Sequence, residues 1–79
     1  MDDQEDESQI KSVRKAVDVL DALAAARRPL RISEISAKLG MSPSAVSRII
    51  ATLTKVEMVH QDEESGRCYL GLGLAVLGA

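Results

Sequence analysis

The sequence predicts a mainly α-helical fold with a small antiparallel β-hairpin close to its C-terminal end. Three observations lead to this prediction. Apolar residues recur with a helical period over residues 13–24 and again over residues 46–56. A shorter segment between them ends at Gly40, a residue type that commonly terminates helices. Two β-prone segments near the end of the chain flank a turn-rich linker, which is typical of a hairpin.

The composition indicates one small domain. Of the 79 residues 46% are apolar, yet there is one tyrosine and neither phenylalanine nor tryptophan. This composition favours a helical core and excludes aromatic stacking as a means of holding single-stranded nucleic acid. Cys68 has no cysteine partner, and the chain carries neither a secretory signal nor an apolar run of membrane-spanning length. We therefore expect a soluble, cytoplasmic protein.

The net charge of −2 hides an uneven distribution. Residues 1–9 are predicted to form a disordered acidic tail, because they hold five carboxylates without any apolar periodicity. Residues 9–57 contain nine basic and four acidic residues. Attraction to phosphate depends on such local fields more than on the sum over the chain, so this basic body suits a nucleic-acid partner.

The first helix is predicted to run from an N-cap at Ser12 to about Arg27, since Pro29 cannot continue it. A minor apolar strip, Val19 with Ala22, lies beside the main one, and a subunit contact and plain solvent exposure are equally favoured for it. The main strip has the clearest helical spacing in the chain and consists of Val13, Ala16, Val17, Leu20, Leu23 and Ala24.

A second, shorter helix is predicted after a stub of strand at Leu30–Ile32. Ser33 is its expected N-cap, and the helix covers residues 34–39. Gly40 ends it, because glycine tolerates the left-handed conformation that closes many helices. A helix, a short glycine-containing turn and another helix form the helix-turn-helix pattern.

The third helix, about residues 43–56, has the strongest start signal in the chain. Ser42 is a favourable N-cap and Pro43 a favourable first residue. Its predicted core face consists of Val46, Ile49, Ile50, Leu53 and Val56. Its predicted exposed face consists of Ser44, Ser47, Arg48, Ala51 and Lys55. Because this face is small and basic, the helix backbone could closely approach a DNA major groove.

The β-prone segments, residues 58–61 and 67–70, are predicted to pair as a hairpin, which makes the fold a winged helix-turn-helix over residues 10–71. The acidic turn at Asp62–Glu64 should avoid the DNA backbone, which leaves Arg67 as the candidate contact from the wing. Residues 72–79 are apolar and rich in glycine. We expect them to begin a linker to a further domain.

These motifs resemble the N-terminal DNA-binding domain of the IclR family of bacterial transcriptional regulators. The resemblance covers Ile10 to Gly78, and the matching segments are Ser12–Leu20, Ile32–Leu53, and Tyr69–Gly73 with Leu77–Gly78. The resemblance implies a homodimer on a double-stranded operator and a C-terminal domain that senses a small-molecule effector. Glu57 departs from the family pattern, which commonly has glycine there, so we expect a different turn or a helix that runs on.

Arg48 is the best candidate for reading a base edge, since arginine can bond guanine in bidentate fashion. A phosphate contact from the same position is the alternative. For the serines and the other cations, a solvated surface role is about equally favoured. The complete set of candidate DNA contacts is Ser44, Ala45, Ser47, Arg48, Lys55, Arg27, Arg28, Arg31, Ser33, Lys38 and Arg67.

No enzymatic constellation is evident in the sequence. His60 and Cys68 stand alone, and no metal-ligand spacing or phosphate-binding glycine loop occurs. We therefore expect neither catalysis nor a metal or cofactor. The main alternative to DNA binding is a winged helix that serves as a protein-interaction or dimerisation module, because the architecture alone does not impose DNA binding.

Overall fold

The computed structural model describes residues 3–71, with side chains from residue 11 onward. It contains three helices, α1 (Asp3–Ala26), α2 (Ile32–Leu39) and α3 (Pro43–Lys55), followed by strands β1 (Val59–Gln61) and β2 (Cys68–Leu70). The strands pair antiparallel and form the wing. The predicted fold class is therefore confirmed. The predicted linker at 72–79 lies outside the described residues.

Helix α1 begins at Asp3, so the predicted helix start at Ser12 is wrong. The physical reason lies in the residue types before Ser12. They include neither proline nor glycine, and several are glutamate or glutamine, which are good helix formers. Carboxylates near a helix N-terminus also interact favourably with the helix dipole.

The face of α1 that packs on the core also differs from the prediction. Val19 is fully buried and Leu23 nearly so, whereas Val13 and Val17 of the main strip are 63% and 46% exposed. The core face therefore combines the minor strip, Val19 and Ala22, with Leu23 of the main strip, and it meets Leu30 and the apolar residues of α2, α3 and β2. Periodicity could not distinguish two apolar strips on one helix.

The turn between α2 and α3 follows the prediction. Gly40 adopts the left-handed conformation with φ 65°. The Met41 N–H donates to the Ser36 carbonyl (3.2 Å), and the Ser36 hydroxyl donates to the Met41 carbonyl. These two bonds tie the turn to the last part of α2. Ile35 of α2 and Val46 of α3 are fully buried.

The start of α2 corrects another prediction. Arg31, not Ser33, is the N-cap, and Ser33 lies exposed within the first turn. The reason is a backbone bridge just before the helix, in which Leu30 and Cys68 exchange both N–H···O bonds (2.9 and 2.7 Å). The predicted third strand is therefore reduced to this single bridge, and the chain enters α2 at Ile32.

The end of α3 is as sharp as its start. Glu57 adopts the left-handed conformation (φ 62°), so the helix does not run on and the turn is made without glycine. Val56 is 58% exposed rather than part of the core, because the chain turns away from the core there. Gly71 passes so close to this turn that a β-carbon at Gly71 would collide with the Glu57 carbonyl oxygen.

Candidate nucleic-acid interface

The candidate site is built on the N-terminal half of α3. The Ser42 hydroxyl accepts a hydrogen bond from the Ala45 N–H (3.1 Å), as expected of an N-cap. Pro43 occupies the first turn. The cap holds the first turn in register, but it also engages the Ala45 amide and leaves that residue half-buried. Ala45 can therefore offer only its methyl group to a ligand.

The outward face of α3 is open to solvent. Val46, Ile50 and Leu53 are buried and fix the rotation of the helix against the core. The five residues predicted for the exposed face are all exposed, and they are Ser44, Ser47, Arg48, Ala51 and Lys55. The helix contains no acidic residue. Its outward face therefore carries mostly small side chains and a positive charge.

Arg48 lies beside an open groove between α1 and α3. Ser12 and Ala16 line this groove from α1, and Thr52 lines it from α3. The Thr52 hydroxyl donates to the Arg48 carbonyl (3.1 Å), which makes Thr52 a neighbour that the sequence reasoning did not single out. Its position four residues after Arg48 was the available signal. Among the carboxylates whose side chains are described, none forms an ion pair with Arg48.

A second group of candidate cations lies along α2. Arg28 and Lys38 line an open groove together with Leu30 and Glu34. The Arg28 Nη2 atom lies 2.9 Å from the Glu34 Oε2 atom, so the two side chains form an ion pair. A phosphate could bind Arg28 only by sharing or displacing this carboxylate. Lys38 is exposed in the last turn of α2.

Glu34 organises this region, although it is not among the residues predicted to form the site. Its Oε1 atom accepts the N–H of Arg31 (2.9 Å) while its other oxygen binds Arg28. The hydrogen bond from Arg28, followed by that from the Arg31 N–H, lowers the pKa of Glu34 from 4.5 to about 2. The available signal is an acidic residue three positions after the N-cap Arg31, which a predicted N-cap at Ser33 obscures.

The remaining candidates lie at the edges of these groups. Arg27 follows α1 in a left-handed conformation (φ 56°) and is exposed, as is Arg31. Arg67 is half-buried, and its charge contributes to the low pKa of Glu34, so its side chain lies within electrostatic range of the start of α2. The structure thus places Arg48 beside the groove between α1 and α3, and Arg28 and Lys38 beside a different groove along α2.

The wing tip is acidic and internally bonded. The Asp62 carboxylate accepts the N–H of Ser65 (2.8 Å), and this bond lowers the pKa of Asp62. The Arg67 carbonyl accepts the N–H of Asp62 (2.8 Å). Glu63 and Glu64 are exposed. A phosphate backbone would meet three carboxylates at this tip, which is unfavourable.

Other kinds of site find no support in the part of the chain that the structure describes. No group of three or more His, Cys, Asp or Glu side chains there could hold a metal ion. No described helix has the combined length and apolarity needed to cross a bilayer.

Comparison with known proteins shows which family has this arrangement. The family model described as the IclR helix-turn-helix domain matches residues 12–63. The chain is 38% identical over 69 residues to the glycerol operon regulatory protein of Streptomyces coelicolor, covering 87% of this chain and 27% of that protein. It is 32% identical over 69 residues to the HTH-type transcriptional regulator XynR of Escherichia coli, with the same two coverages. Both relatives are named as regulators rather than enzymes.

Solved structures give the same result. An IclR transcriptional regulator from Alicyclobacillus acidocaldarius matches with a TM-score of 0.81 and 33% identity, covering 86% of this chain and 28% of that one. A second family member, from Brucella abortus, matches with a TM-score of 0.78 and 30% identity over 85% of this chain and 26% of that one. The chain thus spans about a quarter of the length of these relatives. By sequence and by fold, the chain belongs to the IclR family of transcriptional regulators and contains its helix-turn-helix domain.

Proposed function

We propose that the chain binds double-stranded DNA in a sequence-specific manner, as the DNA-binding domain of a transcriptional regulator. In this proposal α3 enters the major groove, and a homodimer occupies an operator. The observation that carries the proposal is the open outward face of α3, which combines small side chains with an exposed arginine. A major groove about 12 Å wide admits one helix, and small side chains let the helix backbone approach the bases.

Each candidate residue has a distinct proposed role. Arg48 reads a guanine through two hydrogen bonds, and its place in the N-terminal half of α3 suits such a contact. Ser44 and Ser47 bond bases or phosphates, and the methyl group of Ala45 can contact a thymine methyl. The other candidates contact phosphates. They are the cations Lys55, Arg27, Arg31, Lys38 and Arg67, together with Ser33 in the first turn of α2. Arg28 contributes less because Glu34 already neutralises it.

The relatives are about four times as long as the segment that they share with this chain. We propose that a C-terminal domain of the parent protein binds a small-molecule effector and controls the DNA-binding domain.

Replacement of Arg48 tests the proposed recognition. Binding sites selected from random DNA serve as the operator. Arg48→Ala should weaken binding to the selected site by about 1–3 kcal/mol and relax the preference at one base pair. Lys55→Ala is the matched control, because loss of a phosphate contact should weaken selected and random DNA equally. Equal losses for Arg48→Ala on both kinds of DNA would refute its role in base reading.

A salt titration distinguishes DNA binding from the alternative of a protein-interaction module. The logarithm of the DNA association constant should fall linearly with the logarithm of salt concentration, because bound phosphates release counterions. An apolar protein contact should be nearly insensitive to salt. Affinity for selected DNA that does not change between low and physiological salt would contradict the proposal.

A further inference from the structure

Glu34 is the only acidic residue in the segment of the sequence that forms the helix-turn-helix. Between Asp21 and Glu57 the sequence contains no other carboxylate side chain, but it contains six cations. These cations are Arg27, Arg28, Arg31, Lys38, Arg48 and Lys55. DNA phosphates repel a carboxylate, so a negative charge at this place opposes the proposed binding. Its presence therefore needs a physical explanation.

The two carboxylate oxygens of Glu34 have different partners. The Oε1 atom accepts the N–H of Arg31 (2.9 Å) at the start of α2, and the Oε2 atom binds the Nη2 atom of Arg28 (2.9 Å). Glutamate and glutamine both serve in this kind of helix cap, because either side chain offers an oxygen to the backbone N–H. The cap therefore does not require a negative charge. The contact that uses the charge is the ion pair with Arg28.

The Arg28 guanidinium is held by acceptors within the protein. Besides its bond to Glu34, its Nη1 atom donates to the Pro29 carbonyl oxygen (3.3 Å). A guanidinium binds carboxylate and phosphate oxygens with the same planar set of N–H donors. Glu34 therefore engages donors that a DNA phosphate would otherwise use. A phosphate can reach the ion pair, because the side chains of Arg28 and Glu34 are 55% and 36% exposed.

Other cations act on the same carboxylate. Lys38 lies one turn after Glu34 on α2 and lines the same open groove as the ion pair. The charge of Arg67 also lowers the pKa of Glu34. A phosphate that enters this groove thus meets Arg28 and Lys38, but it also meets the carboxylate that lines the groove with them.

We propose that Glu34 competes with DNA phosphate for Arg28 and thereby limits the affinity of the domain for any duplex. In the free domain the carboxylate holds the guanidinium. A phosphate that takes Arg28 leaves this carboxylate without its ionic partner beside the DNA, so the exchange adds little to the binding free energy. The inference rests on the proposed function, and it adds a residue that sets the affinity for DNA without reading its sequence.

Glu34→Gln tests the competition, because glutamine keeps the cap but releases Arg28. Binding to a selected and to a random duplex is measured over a range of salt concentrations. The variant should bind both duplexes about fivefold more tightly at about 0.1 M salt, and its salt slope should be steeper by about 0.9, because one more phosphate is neutralised. Asp21→Asn is the control, since it changes the net charge equally but Asp21 forms no ion pair with a described side chain. It should change either affinity by less than about twofold, because salt screens a distant charge.

The gain in affinity should depend on Arg28. Arg28→Gln should remove the gain of about fivefold when it is added to Glu34→Gln. In the unmodified chain the same substitution should weaken binding by less than about twofold, because there Arg28 binds Glu34 rather than a phosphate. Arg27→Gln is the matched control, since Arg27 is the neighbouring exposed cation and forms no ion pair with a described carboxylate. Its cost should be the same with and without Glu34→Gln. Circular dichroism verifies that each variant is folded.

Two results would overturn the competition while leaving the proposed function intact. One is a folded Glu34→Gln variant that binds the duplexes no more tightly than the unmodified chain. The other is an Arg28→Gln substitution that costs the same affinity with and without Glu34→Gln, since independent charges would give that result. Failure of the proposed function differs from both, because the unmodified chain would then show no salt-dependent binding to either duplex, and the inference would fall with it.

Discussion

At the residue scale, backbone conformation explains a departure from the family pattern. Gly40 and Glu57 both adopt left-handed conformations, with φ values of 65° and 62°. The conformation of Gly40 could be predicted, because glycine adopts it at no steric cost. That of Glu57 could not, because a glutamate favours right-handed backbone in the absence of tertiary contacts. The sharp end of α3 and the entry into β1 hold Glu57 there through the Met58 N–H bond to the Leu53 carbonyl (3.0 Å).

Glu57→Gly should therefore stabilise the fold. Removal of the β-carbon relieves left-handed strain, and this gain exceeds the added chain entropy of glycine, for a net gain of about 0.5–1 kcal/mol. Denaturant unfolding monitored by circular dichroism measures the change. Glu57→Ala is the control, because it removes the carboxylate but keeps the β-carbon, and it should change the free energy of unfolding by less than about 0.5 kcal/mol. A destabilised Glu57→Gly variant would show that the turn is not strained.

Also at the residue scale, Glu34 should give the fold a specific pH dependence. Its pKa falls from 4.5 to about 2 in the folded chain because its carboxylate binds Arg28 and the Arg31 N–H. A folded pKa below the unfolded value means that the contribution to stability is complete above about pH 4.5. It is then lost as the pH falls toward 2.

Glu34→Gln should accordingly flatten the fall in unfolding free energy between pH 4.5 and pH 2. Denaturant midpoints measured at intervals across this range test the effect. Asp62 also has a lowered pKa, so its part of the pH dependence should persist in the variant. Glu63→Gln at the exposed wing tip should reproduce the unmodified profile. A Glu34→Gln profile as steep as the original would show that the ion pair with Arg28 does not form in solution.

At the scale of single elements, the residues that begin and end a helix predicted the structure better than the spacing of apolar residues did. Helix α3 starts where the capping serine Ser42 and the helix-starting proline Pro43 predicted. Helix α2 ends where Gly40, which adopts the left-handed conformation, predicted. The rotation of α1 could not be obtained in the same way. Its two apolar strips satisfy the same helical period, and only packing against the rest of the fold selects Val19 and Leu23 as the core face.

The cap of α3 can be tested directly. Ser42→Ala should destabilise the fold by about 1 kcal/mol, because the Ala45 N–H loses its acceptor. Thermal or denaturant unfolding measures the loss. Ser44→Ala is a matched control two residues away, on the exposed face, and should change stability by no more than about 0.5 kcal/mol. Equal effects of the two substitutions would contradict the capping role of Ser42.

At the scale of the whole molecule, the sequence indicated which face of α3 is exposed but not how the cations are arranged around it. Exposure of Ser44, Ser47 and Arg48 follows from the apolar period on the opposite face, which the structure confirms apart from Val56. The pairing of Arg28 with Glu34 depends on how α1 meets α2, a tertiary contact that no local pattern encodes. For the same reason the position of Arg67 near Glu34 could not be inferred from the hairpin alone.

The proposed function depends on the outward face of α3 meeting DNA. Nuclear magnetic resonance of the isotope-labelled chain, titrated with a duplex selected from random sequences, tests this most directly. The backbone amides of the N-terminal half of α3, including Ser47 and Arg48, should shift most, while those of the acidic wing tip at residues 62–65 should change least. A saturating duplex that leaves the α3 amides unchanged and shifts the wing tip instead would contradict the account.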